Sequence, residues 1–211
     1  RHHRQPDFRR LHHAAPRLIG TRVDAADDAV QAAESESATA AAATSAFLTS
    51  RIARALRGPM TFGDHMALRS ESAKIKRDVR YSIVGVLNRG RGLLVRRPIS
   101  GRETSYPRLN KLAPEVLVYS RLKAFEGAVT VTPGDLGEAY ASAEFPNFAP
   151  LPHISPDWLR EITRCPQLWE LLASRSKGMG GRRERLKPAD FLGLPLTPPT
   201  LEVQVSLRGR Q

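Results

Sequence analysis

Apolar residues recur at helical spacing near both ends of the chain and at strand-like spacing between them. Residues 47–56 carry Phe47, Ile52 and Leu56 on one helical face, and Gly58 followed by Pro59 ends that segment. Turn residues then separate a series of strand patterns, at 81–87, 93–95, 117–119, 128–131 and 140–148. The last of these contains Pro146, which restricts it to the edge or the end of a sheet.

The pattern returns to a helical period after residue 154. Ser155 before Pro156 is a helix-start signal, and Cys165 before Pro166 starts a second helix. A further helical turn is predicted at 187–191, a short helix at 62–68, and a short strand after Pro195. The order predicts an α+β fold: a mixed, mostly β-stranded domain with short helices over residues 59–204.

Residues 1–45 form an extension of a different composition. Alanine, serine, threonine and arginine dominate it, and large apolar side chains are scarce. Such a segment has little surface to bury, so we expect it to be helical or partly disordered, and poorly ordered as a whole. The expected organisation is therefore an extension at 1–45, an amphipathic helix at 46–58, the domain at 59–204 and a tail at 205–211.

The charge of the chain indicates a polyanionic partner. The net charge is +12, and it lies in residues 46–211, which carry 27 basic and 15 acidic side chains. Windows 88–123 and 175–187 hold nine and six of those basic residues. Any one of them is as readily a solvated surface residue, but two windows in one domain favour a shared anion-binding face. The candidates are Arg89, Arg91, Arg96, Arg97, Arg102, Arg121, Lys123, Lys177, Arg182, Arg183 and Arg185.

Arginine in these positions suits nucleic acid, because its planar fork grips a phosphate or the edge of guanine with two hydrogen bonds. The glycines at 90 and 92 allow backbone conformations that approach a ligand closely. The aromatic residues favour packing over base stacking, and this expectation covers Tyr106, Tyr119, Phe125, Trp158 and Trp169.

No catalytic or metal-binding pattern occurs in the sequence. Zinc-ligand spacing, a nucleophile elbow, an acid cluster beside a lysine and a glycine-rich cofactor loop after a strand are all missing. Cys165 stands alone, which suits a reducing cytoplasm and excludes an intramolecular disulfide. No apolar run approaches the length of a membrane span. We therefore expect a cytoplasmic, non-catalytic chain with no cofactor, no metal and no membrane partner.

Several short motifs occur in an order that resembles a known family. They are G-R-G-L-L-V-R-R at 90–97, V-Y-S-R-L-K-A-F-E-G at 118–127, A-S-A-E-F-P-N-F at 141–148, S-K-G at 176–178, R-R-E-R-L-K-P-A-D-F at 182–191 and P-L-T-P-P-T-L-E-V-Q at 195–204. From about residue 53 to 204 the chain resembles the target recognition domain of the DNA specificity subunit of type I restriction-modification systems.

The resemblance implies sequence-specific binding of double-stranded DNA by a non-catalytic subunit. In that family, methyltransferase and restriction subunits are the partners, and S-adenosylmethionine, Mg²⁺ and ATP belong to them. The family has two recognition domains, whereas this sequence contains one, so a half-length or truncated form that self-associates is a further expectation. The alternative from the charge alone is a basic RNA-associated or ribosome-associated protein without catalytic activity.

Overall fold

The structure, a computed structural model, describes residues 17–69, 71–176 and 185–206. Helix α1 spans Arg17–Ala55. The chain divides into two compact units after Ala46, so α1 contributes residues to both. In the first unit, residues 26–40 are helical and exposed throughout. In the second unit, the predicted helix at 47–56 is the C-terminal end of α1, where Ile52, Ala55 and Leu56 are buried. Phe47, expected on the apolar face, is instead 51% exposed.

The second unit is built from short strands and short helices. The strands are β1 Met66–Arg69, β2 Ser72–Lys74, β3 Arg80–Tyr81, β4 Val84–Val86, β5 Leu93–Val95, β6 Ile99–Ser100, β7 Arg108–Leu112, β8 Leu117–Tyr119, β9 Val129–Val131, β10 Ala139–Ala141 and β11 Asn147–Pro150. The helices after α1 are α2 Pro156–Thr163, α3 Pro166–Arg175, α4 Pro188–Leu192 and α5 Leu201–Ser206. This composition confirms the predicted α+β class.

The strands pair antiparallel in four small sheets. The largest has the order β1-β11-β8-β9, and a three-stranded sheet has the order β10-β7-β2. Two-stranded sheets join β3 to β6 and β4 to β5. The ladder of β4 and β5 pairs Val84 with Val95 at one end and Val86 with Leu93 at the other. The 88–92 loop therefore connects the two strands at the Val86–Leu93 end of this hairpin.

Strand β8 is buried on both faces, which explains its continuous apolar sequence. Leu117 and Tyr119 lie in the main core together with residues of α2 and α3, including Trp158 and Leu168. Val118 points the other way, into a second cluster with Val84, Leu112 and Ala139. A strand enclosed between two layers carries no polar face, so its side chains do not alternate. Every described residue of β8 is less than 1% exposed.

Aromatic rings connect the large sheet to α4. The ring of Tyr119 stacks on Phe191 with centroids 4.7 Å apart, and Phe148 stacks on Phe191 at 5.2 Å. Such pairs add to the stabilisation from burial. Trp158 is buried and Trp169 packs against the same core, as the sequence predicts. Tyr106 does not pack: 52% of it is exposed, which corrects the expectation for that residue.

Four element predictions are wrong in detail. The strand expected at 81–87 is two short strands, β3 and β4, which belong to different sheets. The helix expected at 62–68 is a short 3-10 turn, Phe62–Asp64, followed by β1. The strand expected at 140–148 is two strands, β10 and β11, which belong to different sheets. The strand expected after Pro195 is a single bridge from Pro195 to Thr61, and α5 then forms where the strand was to continue.

The part of the chain that the structure describes contains neither a membrane-spanning helix nor a metal-binding cluster. No helix there is long and apolar enough to cross a membrane. No cluster of three or more histidine, cysteine or acidic side chains in those residues is arranged to hold a metal ion.

Candidate nucleic-acid interface

The 88–92 loop, which connects β4 to β5, has an unusual backbone. Arg89, Gly90 and Gly92 all have positive φ, at 58°, 61° and 98°. Glycine adopts this region freely, but an arginine is strained in it by about 1 kcal/mol or more. The sequence Asn-Arg-Gly-Arg-Gly therefore forms a tight turn that exposes Arg89 and Arg91 while burying Gly90.

Two neighbouring segments hold the loop in place. The N–H of Gly90 donates to the carbonyl of Gly127 at 3.2 Å, and the side-chain amide of Asn88 donates to the carboxylate of Glu126. Gly90 also lies against the end of α2: a β-carbon there would be 2.4 Å from the carbonyl oxygen of Thr163. The loop thus rests on the 123–127 turn and on α2, and only glycine fits at position 90.

The 123–127 turn, which follows β8, packs against α3. It contains a 3-10 turn, Ala124–Glu126, and ends at Gly127 with φ 71°. A β-carbon on Gly127 would lie 2.7 Å from the ring of Trp169. Lys123 is exposed at the start of the turn, and its Nζ is 3.9 Å from the Glu126 carboxylate. A pair this long and exposed contributes little and leaves the ammonium available to an anion.

Arg89 lies above an aromatic ring that is itself held by the backbone. Its guanidinium carbon is 6.0 Å from the centroid of the Trp169 ring, at the outer limit for a cation–π contact. The indole N–H of Trp169 donates to the carbonyl of Thr163 at 2.9 Å. Arg91 turns back on its own loop, where Nε donates to the carbonyl of Asn88 at 3.0 Å. Arg89 and Arg91 lie on the loop and Lys123 on the turn that supports it, and we call these three residues with their supports the 88–92 site.

Arg121 and Arg185 form a second basic position, where both contact Glu144. The Arg121 N–H donates to the carbonyl of Glu144 at 2.9 Å, and its carbonyl accepts from the N–H of Leu186 at 3.0 Å. Nε of Arg185 is 3.1 Å from the Glu144 carboxylate. Nε of Arg121 is buried without a hydrogen-bond partner among the described residues. The segment after residue 184 thus brings a second arginine beside β8.

The other candidates of the first window lie at the opposite end of the β4–β5 ladder. Arg96 and Arg97 follow β5, and Arg102 lies in the 3-10 turn Gly101–Glu103. Arg97 is 3.4 Å from Glu103, and Arg102 is 2.6 Å from Asp78, with both arginine side chains at least 67% exposed. Exposed pairs of this kind are worth about 0–1 kcal/mol, so a phosphate can replace the carboxylate. Lys177, Arg182 and Arg183 lie outside the described residues.

Three residues that support the 88–92 site were not indicated by the sequence: Glu126, Thr163 and Trp169. The turn signal at 88–92 was visible, but its supports come from segments about 35 to 80 positions away along the chain. The sequence indicated only a core role for Trp169. Its indole ring does pack against the core, and it also underlies Arg89.

Comparison with known proteins supports the fold. No family model matches the chain, and no curated protein sequence matches it. Among solved structures, the chain is similar to the HsdS subunit from Thermoanaerobacter tengcongensis, with 14% sequence identity, a TM-score of 0.57, and coverage of 90% of this chain and 48% of that chain. A structure from work on complex assembly and conformational transition of the type I R-M system matches with 15% identity, a TM-score of 0.47, and coverage of 91% and 50%.

The first of these similarities confirms, at the level of the fold, the resemblance seen in the sequence motifs. It extends over 90% of the chain, which spans about half the length of the subunit structures it matches. The first of these structures is of an HsdS subunit, and the second comes from work on a type I R-M system.

Proposed function

We propose that the chain binds double-stranded DNA with sequence preference, as the recognition part of a type I restriction-modification specificity subunit. The observation that carries the proposal is the 88–92 site, a basic loop held rigidly on a fold shared with an HsdS subunit. Base reading needs a side chain held within about 0.5 Å of its working position. A loop that rests on two other segments meets that requirement.

The recognition geometry follows from the size of the grooves. The major groove of B-form DNA admits an α-helix or a two-stranded β-ribbon and distinguishes all four base pairs. The β4–β5 hairpin is a two-stranded ribbon with arginines at both ends. Contacts from Arg91, Lys123, Arg96 and Arg97 to phosphates set the register, while a smaller number of side chains reach the bases.

The proposed role is non-catalytic and cytoplasmic. The chain contributes target choice, and the partner methyltransferase and restriction subunits contribute the chemistry. S-adenosylmethionine, Mg²⁺ and ATP are then cofactors of those partners. This division fits the neighbouring HsdS fold and the basic charge, and it asks of this chain only that it bind and orient DNA.

Selection from a random duplex pool tests the proposal directly. The purified chain is incubated with double-stranded oligonucleotides that carry a random central region, and bound molecules are sequenced over several rounds. We expect a short enriched motif. Fluorescence anisotropy with the enriched duplex, with scrambled duplexes of equal length and with RNA of the same sequence then measures the preference.

The salt dependence of DNA affinity tests the electrostatic part of the proposal. Each neutralised phosphate contributes a slope of roughly −0.9 in log affinity against log salt. Four to six phosphate contacts from the exposed arginines and lysine predict a slope of about −4 to −5. Equal binding of all duplexes and of RNA would contradict the proposal and favour a non-specific RNA-associated protein. Co-purification with a co-expressed methyltransferase subunit tests the partner assignment separately.

A further inference from the structure

We propose that Arg89 is the residue of this loop that reads a base, that the base is guanine, and that Trp169 positions it. This inference rests on the proposed function and assigns different roles to two arginines of the same loop. Arg91 and Lys123 contact phosphates, whereas Arg89 determines sequence preference at one base pair.

The backbone at Arg89 is the first reason. Its φ of 58° places an arginine in a region that glycine occupies without strain, within a loop that already contains two glycines. A strained conformation persists only when the surroundings hold it, and such positions occur preferentially at functional sites. Here the surroundings are the Gly90–Gly127 hydrogen bond and the close approach of Gly90 to Thr163. These two contacts fix the backbone of the loop, and therefore the position of the Arg89 β-carbon.

The ring of Trp169 is the second reason. A guanidinium over an aromatic face is attracted through the π system, and its in-plane N–H groups remain free to donate. Among the described residues, no acceptor takes a hydrogen bond from the Arg89 side chain, which is exposed. The ring beneath it cannot turn freely, because its N–H is bound to the carbonyl of Thr163. Arg89 is thus oriented without having its donors used.

The chemistry of the base follows from the donor pattern. A guanidinium presents two parallel N–H donors, and guanine presents two acceptors, N7 and O6, side by side in the major groove. Adenine offers a donor at the matching position, which repels an arginine. Phosphate contacts do not require such a fixed side chain, which separates Arg89 from the exposed Arg97, paired with Glu103, at the far end of the hairpin.

Charge-conserving substitutions separate the two roles. Arg89→Lys keeps the positive charge but loses the planar fork, and Arg91→Lys is the matched control two residues away. Each variant is titrated against the selected duplex and against duplexes with single base-pair changes. We expect Arg89→Lys to lower the preference for guanine at one position by about 10-fold to 100-fold, with an unchanged salt slope. Arg91→Lys should leave every preference intact.

Trp169 is tested by its coupling to Arg89. We expect Trp169→Leu to weaken the preference at the same base pair by about 2-fold to 5-fold. In the double variant Arg89→Lys, Trp169→Leu, no further loss of preference should appear, since Trp169 acts through Arg89. A purely structural role would lower binding to all duplexes and would leave the preference unchanged. Thermal unfolding of each variant identifies loss of folded protein.

The outcomes distinguish this inference from the proposed function. Selection of a motif by the wild-type chain, together with a guanine preference that survives Arg89→Lys, overturns the inference and leaves the proposed function standing. Equal loss of affinity for every duplex in Arg89→Lys and Arg91→Lys also overturns it, because both residues would then be phosphate contacts. A wild-type chain without any preference overturns both.

Discussion

Gly127 lies so close to Trp169 that a β-carbon would come within 2.7 Å of the indole ring, and its φ is 71°. The turn after β8 therefore depends on glycine for both space and backbone conformation. We expect Gly127→Ala to lower the free energy of unfolding by about 2 kcal/mol, since overpacking and a positive φ add together. Urea unfolding measures the change. The same variant should also weaken DNA preference, because the turn supports Gly90.

Gly137 provides the control for that prediction. It is exposed, a β-carbon added there would meet no heavy atom within 4 Å, and its φ is not positive. Gly137→Ala should therefore change the free energy of unfolding by less than about 0.5 kcal/mol. Equal destabilisation by the two alanines would show that the Gly127–Trp169 contact is not the cause.

Two non-glycine residues in the described part of the chain have positive φ. We expect glycine substitutions at these two positions to have similar effects on stability but different effects on DNA preference. The two residues are Arg89 and Glu115, at 58° and 56°. Glycine relieves the strain at either position but costs some entropy of folding, so Arg89→Gly and Glu115→Gly should each raise stability by about 0.5 kcal/mol. Glu115 lies in the β7–β8 turn, away from the 88–92 site. Only Arg89→Gly should abolish the guanine preference, and loss of that preference in Glu115→Gly would contradict the assignment.

Tyr119 joins the central strand to the segment before α4. Its hydroxyl donates to the carbonyl of Leu186 at 3.0 Å, and the ring is fully buried. Burial raises the pKa of Tyr119, so the phenol stays a neutral donor across the physiological range. Tyr119→Phe should cost about 1–2 kcal/mol, because a buried carbonyl loses a partner. The half-exposed Tyr106 is the control: Tyr106→Phe should leave the denaturation midpoint unchanged.

Because two histidines lie in contact, we expect the free energy of unfolding to fall in weak acid. Nε2 of buried His65 is 3.1 Å from the Leu196 carbonyl, and Nδ1 is 2.9 Å from Nε2 of His153. Because a carbonyl only accepts, Nε2 carries the proton and Nδ1 accepts from His153. Burial, ahead of the nearby His153, lowers the pKa of His65, although the Leu196 carbonyl and Asp64 oppose the shift.

The direction of the pH effect follows from that lowered pKa. The unfolded chain binds a proton near pH 6.5 that folded His65 resists, so stability is complete above about pH 6.5 and declines as the pH falls below it. Thermal melting between pH 7.5 and 5 should show this decline. In His153→Gln, an uncharged amide donates to Nδ1 and the electrostatic effect of His153 on His65 is removed, so the decline should be smaller. An identical pH profile in the variant would show that His153 does not contribute to the decline.

The candidate site was visible in the sequence only in part. Glycine and arginine at 88–92 indicated a tight basic turn, because local backbone preference is written in the residue types. The supports of that turn were not visible, since Thr163 and Trp169 approach it only through packing of α2 and α3 on the sheet. The two basic groups of window 88–123 also lie at opposite ends of a hairpin, which linear spacing does not reveal.

The helix starts and the existence of strand β8 were determined by the sequence itself. Ser155 caps α2 by accepting from the N–H of Trp158, and a proline follows each of the two predicted starts. These are interactions within a few residues, so they act before any tertiary contact forms. The apolar stretch at 117–119 likewise predicted a strand, but its burial on both faces became apparent only in the structure.

The tertiary structure decided the C-terminal element and the short polar strands. Residues 201–206 alternate like a strand, yet α5 forms there, because buried Gln204 accepts from the N–H of Ser155 at 2.8 Å and donates to the carbonyls of His153 and Pro199. Strands β2 and β7 have partly polar sequences and exist through pairing with each other. Hydrogen bonds between distant segments outweigh weak local propensity, and the sequence alone contains no record of which segments meet.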